Sequence, residues 1–123
     1  MNVHLDAQRA YAQTANPIRT PRGLEYEAFA RITHKLKSAA EGGKISALAA
    51  AVHQNRQLWT LLASDVADPL NGLPTDLRAR IFYLAEFTNQ HSRKVLHREA
   101  TIQPLIEVNT AIMRGLREQE AKA

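Results

Sequence analysis

The chain has no cysteine, one tryptophan, and only 6% aromatic residues among its 123. Without cysteine, disulfides and thiolate-bound metals are excluded, which fits a reducing compartment. No apolar run approaches the roughly 20 residues that span a bilayer, so no membrane-spanning helix is expected. The start, Met1 to Gln13, carries Asp6 and lacks a basic head before an apolar block, unlike a secretory signal. A cytoplasmic protein with no membrane association is therefore the expectation. Motifs of catalysis are also missing. Gly42-Gly43 is not followed by the Gly-Lys-Ser/Thr of a phosphate loop, and no nucleophile elbow occurs. The histidines His4, His34, His53, His91 and His97 form no i,i+3 or i,i+4 pair of metal-ligand type. Asp65 and Asp68, near a helix end, have a sufficient reading as turn residues. Neither an enzyme nor a metal or cofactor protein is expected.

What is present is an Ala- and Leu-rich pattern with helical periodicity and no strand signal. Val3, Ala7, Ala10, Tyr11 and Thr14 share one face of a short first helix, ending at Asn16-Pro17. Thr20-Pro21 supplies a cap and a first-turn proline, followed by the stripe Leu24, Ala28, Ile32, Leu36 up to Gly42-Gly43. The next stripe runs Ile45, Leu48, Val52, Asn55, Trp59, Leu62, Val66. Asp68 to Leu73 is a turn rich in Pro, Asn and Gly, and Pro74 opens a helix with the stripe Leu77, Ile81, Leu84, Thr88, His91, Val95. Thr101 and Pro104 start the last helix, whose stripe is Ile102, Leu105, Asn109, Ile112, Leu116. Short loops between long helices favour antiparallel neighbours. The expected architecture is all-α: one domain over 1–123, a bundle of four main helices plus a short N-terminal helix. Residues 1–19 form that helix and a linker, and 117–123 form a polar tail that frays.

The net charge of +4 is spread over the helices. Its densest cluster, His91, Arg93, Lys94, His97 and Arg98, falls near a helix end, where cations complement the macrodipole. Arg78 and Arg80 read as surface or intrahelix residues. Asn55 and Asn109 stand out because each occupies a stripe position among aliphatics. A buried amide without partners costs about 1–3 kcal/mol. Either the two satisfy backbone groups or one another inside the bundle and fix its register, or they face a groove and read a bound peptide. Trp59 divides in the same way. Its helix is apolar over a broad arc, with Leu58 and Leu61 off the main stripe. The following helix adds Phe82, Tyr83 and Phe87 to its own stripe. Such breadth means either a central helix or an uncovered docking surface.

Five stretches follow one another along the chain: Ala10-Tyr11-Ala12-Gln13, Thr20-Pro21-Arg22-Gly23-Leu24-Glu25, Asn55-Arg56-Gln57-Leu58-Trp59, Asn71-Gly72-Leu73-Pro74 with Leu77-Arg78-Ala79, and Ile106-Glu107-Val108-Asn109 with Ile112-Met113 and Gly115-Leu116. In that order and spacing they resemble the FlaF family of alphaproteobacterial flagellin-synthesis regulators. The resemblance implies a positive factor for flagellin production and export, opposing the FlbT repressor of flagellin messenger RNA. Unpolymerised flagellin termini are amphipathic and need an apolar surface, so a chaperone-like groove is expected. Its candidates are Asn55, Arg56, Trp59, Leu62, Phe87, Asn109, Met113 and Arg114. On this expectation Trp59→Ala or Leu62→Asp abolishes binding. The alternative is contact with the flagellin leader RNA through Arg93, Lys94 and Arg98, or with an FlbT-like regulator. A free groove also invites a homodimer that hides it.

Overall fold

The computed structural model describes residues 21–122. The expected N-terminal helix, in residues 1–19, lies outside them. Four α-helices account for nearly all of the described chain: α1 (Pro21–Gly42), α2 (Ile45–Ala67), α3 (Thr75–Leu96) and α4 (Gln103–Lys122). No strand occurs among the described residues. α4 continues through the polar residues after Leu116 that were expected to fray.

Specific contacts fix the helix directions. Phe29 meets Trp59 and Lys35 meets Gln54, so α1 and α2 run antiparallel. Arg56 with Asn89 and Val66 with Arg78 give the same relation for α2 and α3. Tyr26 with Arg117 and Thr33 with Asn109 reverse α1 against α4. His91 with Thr101 and Leu77 beside Gly115 complete the ring between α3 and α4. Each helix therefore has two neighbours, with α1 diagonal to α3 and α2 diagonal to α4, and the α3–α4 seam is the loosest. This up-down-up-down order follows from connections too short to cross the bundle.

The stripes bury as their period dictates. One apolar cluster is built from Phe29, Trp59, Leu62, Val66, Leu73, Ile81, Ile112 and Leu116. A second, towards the other end, comprises Leu36, Ala39, Ala51, Val52, Val95, Ile102, Leu105 and Ile106. Ile45, expected on the buried stripe of α2, is exposed. Between the clusters lies a polar layer. Thr33, Asn55, Thr88, Ser92 and Asn109 are all buried, and together they take one or two positions from each helix. The register of Arg56 against Asn89 sets Thr88 and Ser92 level with Asn55.

The connections are built from local hydrogen bonds. Gly43, at φ 72°, takes the left-handed position that ends α1. In the α2–α3 connection the Asp68 carboxylate accepts from the Leu70 N–H, and the Asn71 side chain accepts from the Leu73 N–H. Arg78 is not the simple surface residue expected. Its Nε donates to the Val66 carbonyl at 3.0 Å and Nη2 to the Asp68 carbonyl at 3.0 Å. It thereby satisfies carbonyls that the end of α2 leaves open.

Candidate functional site

Four of the eight groove candidates are core residues. Asn55, Trp59, Leu62 and Asn109 are at most 1% exposed. Three of them meet each other across the bundle. The Trp59 Nε1–H donates to Asn109 Oδ1 at 2.8 Å. Asn109 Nδ2 donates to Asn55 Oδ1 at 2.8 Å and to Thr33 Oγ1 at 3.1 Å. An indole can only donate, so it forces the Asn109 oxygen towards itself and the amide nitrogen towards Asn55 and Thr33. The two amides therefore pair with one another inside the bundle, which is the register-fixing alternative, and Leu62 is enclosed with them, whereas Trp59 also borders a cleft. Trp59 also packs edge-on against Phe29, with ring centroids 5.3 Å apart.

The other four candidates are scattered. Phe87 is half-buried on α3 and stacks on the His91 ring at 5.3 Å. Met113 is half-buried and packs against the Trp59 cluster. Arg114 is exposed on α4, and Arg56 is half-buried on α2, its Nη2 donating to Asn89 Oδ1 at 2.7 Å. The cleft between α2 and α3 includes Arg56 but not Phe87, Met113 or Arg114.

A different surface emerges on α3. Phe82 is 56% exposed and Tyr83 73%. Phe87, one turn beyond Tyr83, extends the same side of the helix. Phe82 also forms one wall of a cleft of about 210 Å³ between α2 and α3. Trp59, Ala63, Ala85 and Thr88 line this cleft together with Arg56, Glu86 and Asn89 at its polar margin. The result is an aromatic ridge of two adjacent lines, Phe82 on the cleft wall and Tyr83 with Phe87 about 100° further around α3. These three aromatics are the ones that lie in addition to the apolar stripe of α3. Periodicity alone could not say whether a neighbouring helix would cover them.

Within the polar layer, the Thr88 and Ser92 hydroxyls and Asn55 Nδ2 have no hydrogen-bond partner. The α1, α2 and α4 side chains are tied together, whereas α3 joins the layer without a bond. The RNA candidates Arg93, Lys94 and Arg98 are exposed at the end of α3. Arg93 and Lys94 are consecutive, so they point about 100° apart, and no basic stripe continues along the helix. Among the described residues, no group of three or more His, Asp or Glu side chains is arranged to hold a metal ion. No described helix is long and apolar enough to cross a membrane.

A family model described as flagellar protein FlaF matches residues 7–116. No curated protein matches the chain. Nor does any solved structure.

Proposed function

We propose, since this chain belongs to the FlaF family of flagellar proteins, that it is a non-enzymatic cytoplasmic factor binding unpolymerised flagellin. The exposed aromatic ridge of α3, Phe82 and Tyr83 with Phe87 beside them, is the observation that carries this reading. Large aromatics cost free energy when left in water, and contiguous apolar patches on small proteins mark partner surfaces. An amphipathic flagellin segment lying along α3 would cover the ridge and insert an apolar side chain into the cleft beside Trp59. Ordering a flexible partner offsets part of the gain, so affinity is moderate for the area covered. Holding that segment would delay polymerisation and promote export, and its occupancy could be sensed by translation.

The test is titration calorimetry with unpolymerised flagellin, using the wild-type chain and Phe82→Asp and Tyr83→Asp variants. Tyr83 is largely exposed, so its substitution leaves stability within about 0.5 kcal/mol, while Phe82→Asp loses some packing at the cleft and is checked by urea unfolding alongside. One-to-one binding that weakens at least tenfold in these variants supports the ridge. Unchanged affinity would remove it as the site. Heat with an FlbT-like regulator but none with flagellin would transfer the ridge to that partner. Self-association of the free protein, lost in Tyr83→Asp, would instead assign the ridge to a homodimer.

A further inference from the structure

The end of the bundle away from the Trp59 cluster holds a second, chemically different pocket. The α1–α2 turn and the α3–α4 connection meet there around a space of about 470 Å³. Buried Val95 and Ile102 and half-buried Leu48 form its aliphatic floor, and exposed Ile45, Lys44 and Arg98 line it further out. The nearby acidic residues, Glu41 in the last turn of α1 and Glu99 in the α3–α4 connection, do not line it. The α2 N-terminus opens beside the pocket. Lys44 occupies its cap position without a side-chain hydrogen bond, and no acidic residue lies in its first turn. The first-turn N–H groups therefore add a positive end to the two cations.

Arg98 is where local stability and residue choice disagree. α3 ends with the Glu99 N–H donating to the Lys94 carbonyl at 2.8 Å and the Arg98 N–H to the Val95 carbonyl at 3.0 Å. This is the Schellman pattern, whose left-handed position favours glycine. Arg98 occupies it at φ 62°, the one non-glycine with positive φ among the described residues. An arginine there is strained, and this same residue lines the pocket together with Lys44.

We propose that this pocket docks an acidic, amphipathic peptide segment of a partner protein. An aliphatic side chain enters the floor, and a neighbouring carboxylate is held by Arg98 and Lys44. Charge complementarity selects the carboxylate, and the aliphatic floor selects a peptide over a phosphate backbone. The site is separate from the α3 ridge and does not depend on flagellin binding.

The experiment is a heteronuclear NMR titration of the full chain with an acetylated, amidated peptide of sequence Leu-Glu-Glu-Leu-Leu-Glu. A second peptide has Gln for each Glu, and a twelve-nucleotide oligouridylate serves as the RNA probe. The expected result is shifts centred on the amides of Ile45, Leu48, Arg98 and Ile102, with binding at least tenfold weaker for the Gln peptide. Arg98→Gly removes the cation and relieves the strained backbone together. It should weaken the acidic peptide about tenfold while the melting temperature rises by a few degrees. Lys44→Gln should weaken it as well, whereas Phe82→Asp should leave it unchanged. Absence of shifts here, equal binding of the Gln peptide, or unaltered affinity in Arg98→Gly overturns the proposal. Tighter, steeply salt-dependent oligouridylate binding at the same amides overturns it in favour of RNA.

Discussion

Asn109 is the residue on which the interior turns. It satisfies the only tryptophan, the second buried asparagine and Thr33 from one amide. Truncating it would leave the indole N–H and the Asn55 carbonyl without partners inside the core. Asn109→Ala should therefore destabilise the protein by about 3 kcal/mol or more in urea unfolding, since each stranded group costs ~1–3 kcal/mol. Trp59→Phe removes the donor and part of the buried ring volume, stranding Asn109 Oδ1 beside a small cavity, so about 2–4 kcal/mol is expected. A double-mutant cycle between the two should return a coupling near 1 kcal/mol, and a value near zero would mean the bond contributes nothing to stability. Trp59→Ala would instead excavate the core at a cost of about 3–5 kcal/mol. Loss of binding in that variant would report unfolding, not a lost contact.

At the scale of the element, α3 is unlike its neighbours. Its interior hydroxyls, Thr88 and Ser92, contribute no hydrogen bond to the polar layer, while its outer face exposes Phe82 and Tyr83. Replacing the Thr88 hydroxyl by a methyl of similar shape removes a buried unpartnered group. Thr88→Val should consequently be neutral or stabilising by about 1 kcal/mol in denaturant unfolding. A loss above that size would reveal a hydrogen bond at Thr88. The side-chain hydrogen bonds that tie α3 to the rest are peripheral: Arg56 to Asn89, Arg78 to the end of α2, and His91 to the Thr101 carbonyl. Arg78→Ala reopens two carbonyls, one beside half-buried side chains and one exposed. A cost of about 1–2 kcal/mol in the same assay follows, and one below about 0.3 kcal/mol would show that water substitutes freely.

For the whole molecule, the two proposed surfaces divide along the bundle axis. The α3 ridge is aromatic and largely uncharged, whereas the far end combines Lys44 and Arg98 around an aliphatic floor. Flagellin binding through the ridge should vary little between low and high salt in calorimetry. If leader RNA is the ligand of Arg93, Lys94 and Arg98, affinity should instead fall steeply with salt as phosphate counterions are released. A steep slope with flagellin itself would shift its contacts from the ridge to the basic end.

The sequence by itself determined the helical class, the turns and most of the buried stripes. Those features depend on the 3.6-residue period and on local chemistry at Gly43, Asp68 and Asn71, which act within a few residues of themselves. It also marked Asn55, Trp59 and Asn109 as unusual. Whether they faced one another or a groove was decided only when α2 and α4 met across the core, because an amide's partner lies tens of residues away. The same holds for Arg78, whose acceptors belong to the preceding helix, and for Phe82 and Tyr83, left uncovered by the ring arrangement. Arg98 entered the sequence reading as one cation in a cluster. The left-handed turn that sets it on the rim of an aliphatic pocket arises only where two distant connections come together, since a pocket is a property of packed elements and not of any one of them.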